Sequence, residues 1–187
     1  MLIADTLNTK LEKELLLEKY SVLVSAASNS GDAIRGAKLF YGKKTACGTC
    51  HDVKNGYQIG PQLTKVRKET TPEFLVESIL KPSESILKGY RSVNILTVDG
   101  VALSGFLVDE TDDNITISIA AEAGKTREIS KDDIEEMAPL KLSTMPSGLV
   151  NLCGTREGFL DLLKFVIEIN QGGPKRLKQL KKQANVD

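Results

Sequence analysis

The stretch Cys47-Gly48-Thr49-Cys50-His51 decides how this chain of 187 residues is interpreted. It contains two of the three cysteines and the only histidine. Two cysteines three positions apart, with a histidine directly after them, form the pattern C-x-x-C-H, which is the attachment signature of c-type haem. One turn of irregular helix can present both thiols to the two vinyl groups of a porphyrin. The spacing therefore predicts one covalently bound haem c, with Cys47 and Cys50 as its tethers and His51 as the proximal iron ligand.

Two other kinds of site use a C-x-x-C pair. A thioredoxin-type redox pair belongs in a βαβ context, which the flanking sequence does not supply. A zinc site needs four ligands, and the distant Cys153 would have to be the fourth. A thiol oxidoreductase is therefore the second interpretation and a zinc site the third. Cys153 itself is expected to be inert if it is buried, and able to pair between chains if it is exposed.

The segments on either side of the motif strengthen the haem interpretation. Upstream, residues 30–40 are typical of a short capped helix in which Gly36 and Phe40 share one face. Downstream, Ile59-Gly60-Pro61-Gln62-Leu63 is a loop with a rigid Gly-Pro corner. A metal-bound histidine usually donates its second ring N–H to a carbonyl or carboxylate. The carbonyl of Pro61 is the predicted acceptor for His51, and the alternative is that Gly60-Pro61 is simply a turn.

An ordered set of motifs over about residues 30–170 resembles the class I cytochromes c. The set comprises Gly31-Asp32, Arg35-Gly36, Leu39-Phe40, Cys47–His51, Gly60–Leu63 and Met145-Pro146. More narrowly, the chain resembles the haem-binding domain family of Planctomycetes and Verrucomicrobia. The motifs of that resemblance are Glu77–Ser83, Gly89-Tyr90, Asp99-Gly100 and Met145–Leu149. The resemblance implies His51 and Met145 as the two axial ligands, and Gly60, Pro61 and Leu63 as further cofactor-binding residues.

The residues around Met145 suit this role. Met145 precedes Pro146 in an irregular loop, where a thioether can be held against a ligand. A loop methionine is commonly a flexible core filler, but a haem with His51 on one side needs a sixth ligand. Lys54, Tyr57 and Tyr90 are the weaker candidates. A Met/His pair raises the reduction potential and closes the iron to small molecules, which suits electron transfer.

His51 and Met145 stand 94 positions apart, from 51 to 145, so we expect an insertion between them. From about Tyr90 the hydrophobic period becomes two, and Asp99-Gly100 is a hairpin signal. The predicted fold class is a mainly α cytochrome c fold interrupted by a small antiparallel β-barrel of SH3-like or Sm-like type. The predicted divisions are an N-terminal helical segment (1–29), the first part of the cytochrome c lobe (30–87), the β-barrel insertion (88–140), the second part of the lobe (141–172) and a basic tail (173–187).

Helices are predicted on both sides of the insertion. Thr71 should cap a helix that has Pro72 at its first position. Near the C-terminus, an apolar stripe predicts a helix that crosses the Gly36/Phe40 helix and stops at Gly172-Gly173-Pro174; the stripe consists of Phe159, Leu162, Leu163 and Val166. The basic tail beyond it should be frayed. The N-terminal segment has leucines at four-residue spacing but no evident partner surface, so the sequence leaves open whether it could pack on a second copy or on an upstream domain.

Charge and hydropathy restrict the partners. Lys+Arg and Asp+Glu both total 25, which disfavours a uniformly basic nucleic-acid binder, and no apolar run is long enough to span a membrane. Residues 33–68 carry eight basic residues against one acidic residue, and residues 92–137 carry eleven acidic against three basic. The basic segment predicts an acidic redox protein as partner, and the opposite signs on one chain make a homodimer possible.

A c-type haem implies a periplasmic or other extracytoplasmic location. The sequence from Met1 shows no secretory signal pattern, so we expect the chain to be a domain excised from a longer protein. The predicted function is a one-electron carrier rather than an enzyme, either alone or as the electron-accepting domain of a larger dehydrogenase. The alternatives are a haem enzyme or a gas or redox sensor with a displaceable sixth ligand, and a thiol oxidoreductase.

Overall fold

The computed structural model describes residues 10–51, 59–65, 68–119, 122 and 125–186. Over these residues the chain contains about 48% helix and 20% strand, in a helical region and one sheet. The helices are α1 (Lys10–Leu16), α2 (Tyr20–Ser30), α3 (Ala33–Tyr41), α4 (Cys47–His51), α5 (Pro72–Leu80) and α6 (Arg156–Ala184). None of them is long and apolar enough to cross a membrane.

The crossing of α3 and α6 organises the helical region. Gly36 lies so close to α6 that an added Cβ would come 2.0 Å from the backbone oxygen of Asp161. The Asp161 carboxylate, only 5% exposed, accepts hydrogen bonds from the backbone N–H of Asp32 (2.7 Å) and from the guanidinium of Arg35 (2.6 and 2.9 Å). One glycine contact and one ion pair therefore fix the two helices together, and the predicted crossing is confirmed.

Gly36→Ala is expected to lower the free energy of unfolding by about 1–3 kcal/mol, because the new methyl group has to displace backbone rather than a mobile side chain. Chemical denaturation measures the loss. Lys38→Ala, an exposed change on the same helix, is the matched control and should stay near the wild-type value. Equal stability of Gly36→Ala and the control would contradict the close crossing.

The N-terminal helices pack on the chain's own core, which answers the question of the partner surface that the sequence left open. Leu15 and Leu23 are fully buried in the same cluster as the α3 and α6 residues. The side chains of Glu18 and Arg156 form a bidentate ion pair with both distances at 2.7 Å. Leucine spacing indicates a buried face but does not identify what covers it. Here the covering elements are α5, α6 and the segment Leu149–Cys153 that precedes α6.

The tail beyond Gly173 is also helical, so the prediction of a helix stop and a frayed end is wrong. Gly173 leaves helical geometry (φ 63°, ψ −159°) and kinks α6, and the chain then resumes the helix at Pro174. Leu180 and Ala184 are buried in the main core, and the ammonium of Lys181 lies 4.5 Å from the ring centre of Tyr41. The Gly-Gly-Pro sequence therefore bends the helix, which a breaker signal alone does not distinguish from an end.

Five strands form one antiparallel sheet in the order β4-β3-β2-β1-β5. They are β1 (Ser92–Thr97), β2 (Ala102–Glu110), β3 (Asn114–Ile119), β4 (Lys125–Ser130) and β5 (Ile134–Pro139). Gly100, at φ 81°, completes the turn of the β1–β2 hairpin, as the Asp99-Gly100 signal predicts. The buried face forms a hydrophobic cluster separate from the helical core, with Val93, Ile95, Ile115, Ile117, Ile119 and Ile129.

The predicted fold class, a mainly α cytochrome c fold interrupted by a β-barrel, is wrong because the sheet is open. Closure would require β4 and β5 to pair, yet they lie at opposite edges of the sheet. Only the 3₁₀ turn Lys131–Asp133 separates them in sequence. Alternation of apolar residues defines the strands and their buried face, whereas closure depends on how strongly the sheet coils. In chain order, the architecture is helices α1 to α5, then the open sheet, then the long helix α6, which packs with the other helices.

The sheet enters and leaves the helical region at one point, because the backbone N–H of Leu140 donates to the carbonyl of Ser92 over 2.8 Å. Replacing residues 93–139 with a short Gly/Ser linker should therefore keep the helical region folded. Far-UV circular dichroism of the purified protein measures this. Loss of the helical signal would show that the sheet is required for the helical core.

Candidate cofactor site around His51

The motif helix α4 follows α3 after a tight reversal of the chain. The Thr45 hydroxyl donates to the Leu39 carbonyl, and the Ala46 N–H donates to the Gly42 carbonyl over 2.9 Å. Ala46 itself takes a left-handed conformation (φ 48°) directly before Cys47. This reversal leaves the thiols of Cys47 and Cys50 half-buried and not joined in a disulfide. One helical turn thus carries both thiols and His51, as the spacing predicts.

The ring of His51 is held by the loop that follows it. Nδ1 lies 2.9 Å from the carbonyl oxygen of Pro61. A carbonyl can only accept, so Nδ1 is the protonated nitrogen and Nε2 carries the lone pair. Burial lowers the pKa of His51, with the Pro61 contact acting in the opposite direction, so the ring is neutral at physiological pH. A neutral imidazole with its lone pair on Nε2 is the form that binds a metal.

Gly60 makes the contact between His51 and Pro61 possible. Its N–H donates to the Cys50 carbonyl over 2.9 Å, which brings the loop back onto the motif helix. An added Cβ would lie 2.7 Å from Cε1 and 2.8 Å from Nδ1 of the His51 ring. Any other residue would push the ring or the loop away. The prediction that Gly60-Pro61 serves His51 thus agrees with the geometry, and the alternative of a simple turn does not account for this contact.

One deep, mainly apolar cavity lies against this motif. All seven predicted site residues line it: Cys47, Cys50, His51, Gly60, Pro61, Leu63 and Met145. Its walls come from the end of α3, from α4, from α5 and from α6, with the segments 59–65 and 82–90 between them. Tyr90, a weaker candidate for the sixth ligand, also lines the cavity. Lys54 and Tyr57, the other two, lie outside the described residues.

Met145 reaches the cavity from a segment anchored at both ends. Its N–H donates to the hydroxyl of Ser143 over 3.1 Å, and the N–H of Ser143 donates to the hydroxyl of Ser83 over 3.0 Å. On the other side, Gly148 at φ 80° begins the 3₁₀ segment Leu149–Cys153, which packs in the helical core. The half-buried thioether of Met145 is therefore presented by a held loop.

The chemistry of these groups fits a covalently bound haem. The described residues contain no group of three or more His, Cys, Asp or Glu side chains that could hold a metal ion. The cavity instead offers one neutral imidazole and one thioether, which would serve as the two protein ligands of a haem iron. The apolar wall from Ile79, Leu162 and Val166 suits a flat aromatic macrocycle, and the two thiols stand beside it.

The Cys47 thiol does not have the lowered pKa that is typical of a redox-active cysteine. Burial raises the pKa of the Cys47 thiol, whereas a nucleophilic cysteine needs a lowered pKa. Burial also raises the pKa of Cys153 to about 12, and this residue is only 9% exposed. Of the two expectations for Cys153, inert packing therefore agrees with the structure and pairing between chains does not.

Asn170 is a buried polar residue of the cavity wall that sequence reasoning missed. Asn170 on α6 is 4% exposed, and its side-chain amide donates to the carbonyl of Leu63 over 3.0 Å. It lies one further helical turn along the face of Leu162 and Val166, both of which line the cavity. Extending the predicted apolar stripe by four residues would have found it, but an asparagine does not match an apolar pattern.

No family model and no curated protein matches the chain. The resemblance to class I cytochromes c therefore rests on the motifs and their order. The functional conclusion rests on the cavity and its donor groups.

Proposed function

We propose that this chain is a monohaem c-type cytochrome, or the cytochrome domain of a larger protein, that carries one electron at a time. The observation that carries this proposal is that residues 94 positions apart, His51 and Met145, line one apolar cavity whose wall also holds the thiols of Cys47 and Cys50. A haem c held there would supply a reversible Fe(III)/Fe(II) couple. The chain would supply two thioether tethers and both axial ligands.

The residues around the site favour electron transfer over catalysis. His51 is fixed by Pro61, so its Nε2 has one orientation, and the hydrogen bond raises its strength as a ligand. The Met145 loop is held through Ser143 to Ser83, and its thioether would be the second iron ligand of a haem bound in the cavity. A haem enzyme or a gas sensor needs that position open or easily opened. The anchored Met145 loop therefore supports the electron-carrier proposal.

The surface around the cavity supports an acidic protein as partner. Lys65 is exposed and lines the cavity, and Lys38, Lys43 and Lys44 are exposed around the turn that leads into the motif. Association with an acidic protein should weaken as salt rises, because exposed charges are screened over roughly 8 Å at physiological ionic strength. We also propose an extracytoplasmic location, because thioether attachment of haem implies it.

Absorption spectra with and without carbon monoxide test the proposal against its alternatives. The haem-loaded protein should be low-spin in both oxidation states, and carbon monoxide should leave the ferrous spectrum unchanged. Ready binding of carbon monoxide by the wild-type protein would instead identify a haem enzyme or a sensor. A colourless protein with reactive thiols at Cys47 and Cys50, from a host that matures c-type cytochromes, would support a thiol oxidoreductase.

A further inference from the structure

Two carbonyls of the loop that orients His51 accept side-chain hydrogen bonds, and only the first of these bonds comes from His51. At one point, the carbonyl of Pro61 accepts from Nδ1 of His51. Two residues later, the carbonyl of Leu63 accepts from the side-chain amide of Asn170 over 3.0 Å. Only Gln62 lies between Pro61 and Leu63, so we expect a shift of the Leu63 carbonyl to be passed on to the Pro61 carbonyl. Asn170 therefore acts on the same short segment as His51.

The position of Asn170 makes this contact a costly one to lose. Asn170 is 4% exposed, in the buried face of α6 that also carries Leu162 and Val166. The Leu63 carbonyl is partly buried, and losing its donor there costs free energy, so removal of the Asn170 amide leaves Leu63 to find another partner by moving. At Gly173, three residues later, α6 is kinked, and a Cβ added to Gly173 would lie 3.7 Å from the next carbonyl oxygen, that of Thr64. The part of α6 from Asn170 to Gly173 therefore lies against the loop residues Leu63 and Thr64.

From this arrangement we propose that Asn170 is a positioning residue, which fixes the Pro61 carbonyl through Leu63 and thereby sets the strength of the His51 hydrogen bond. This inference rests on the proposed function, because it assigns a consequence for the reduction potential. A hydrogen bond at Nδ1 makes the imidazole a stronger electron donor and favours the ferric state. Loosening the loop weakens that bond and raises the potential.

Asn170→Leu removes the donor and keeps a side chain of similar size, and Asn170→Ser removes its reach but retains a polar group that the fold tolerates. Both variants should have a higher reduction potential than the wild-type holoprotein, measured by spectroelectrochemical titration. In the ferrous form, NMR should show the His51 Nδ1 proton exchanging with solvent roughly two- to tenfold faster, as expected for the loss of one buried hydrogen bond. The absorption spectrum should remain low-spin.

Leu163→Ala is the matched control, because Leu163 is fully buried on the same helix but does not line the cavity. It should lower thermal stability without moving the potential or the exchange rate. If both Asn170 variants behave like this control, Asn170 is only a packing residue and the proposal is overturned. Failure of the proposed function is a different result, since it would appear as a wild-type protein with no covalent haem at all.

Discussion

Met145→Ala is expected to open the sixth coordination position of the iron. The variant should lose the iron–thioether charge-transfer absorption band and have a lower reduction potential. It should also bind carbon monoxide stoichiometrically, whereas the wild-type protein should bind none. The reason is that an alanine methyl group cannot coordinate, while loss of the thioether removes the ligand that favours the ferrous state. Absorption spectra, a redox titration and a carbon monoxide titration measure the three effects.

Met137→Ala is the matched control for Met145→Ala. Met137 lies in β5 and packs against the separate hydrophobic cluster of the sheet. It should leave the spectrum, the potential and the carbon monoxide response unchanged. If Met145→Ala also keeps an unchanged ferric spectrum and does not bind carbon monoxide, another residue holds the sixth position. Tyr90, which lines the same cavity, would then be the first residue to replace.

Gly60→Ala is expected to disturb the proximal side as strongly as Met145→Ala disturbs the distal side. The new Cβ would lie 2.7 Å from the His51 ring, so either the ring or the Pro61 loop has to move. The free energy of unfolding of the holoprotein should fall by about 1–3 kcal/mol. The reduction potential should rise, because a displaced Pro61 carbonyl accepts a weaker hydrogen bond from Nδ1.

Gly100→Ala is the matched control for Gly60→Ala. Gly100 has a positive φ of 81° and nothing within 4 Å of its added Cβ, so alanine there strains the backbone without a steric clash. It should lower stability through the hairpin and leave the potential at the wild-type value. A Gly60→Ala protein with wild-type potential and wild-type stability would contradict the contact between Gly60 and the ring.

The site was more predictable from the sequence than the fold was. The Cys47–His51 motif has a fixed chemical spacing, and the Gly60-Pro61 corner that supplies the acceptor for His51 follows within ten positions. Both are local in sequence, and the cavity lined by Met145 agrees with the long-range pairing that the motifs imply. The contact of Asn170 with Leu63 was not predicted, because it joins two segments 107 positions apart and no local pattern encodes it.

The errors in the fold share one physical cause, which is that local patterns do not report what covers a surface. Alternation over residues 92–139 identifies the strands, but it does not say whether β4 and β5 meet, and they do not. Gly172-Gly173-Pro174 correctly marks a break in helical geometry, yet tertiary burial of Leu180 continues the helix beyond it. The spacing of the N-terminal leucines likewise did not indicate that they pack in the chain's own core.

The central claim is that Cys47 and Cys50 hold a haem by covalent bonds, and the mass and thiol content of the denatured protein test it most directly. The protein should be produced in a host with cytochrome c maturation, denatured and treated with an alkylating reagent. Its intact mass is then measured by mass spectrometry. We expect the mass of the chain plus one haem, with a single alkylated cysteine, Cys153. A chain without haem and with all three cysteines alkylated would contradict the account.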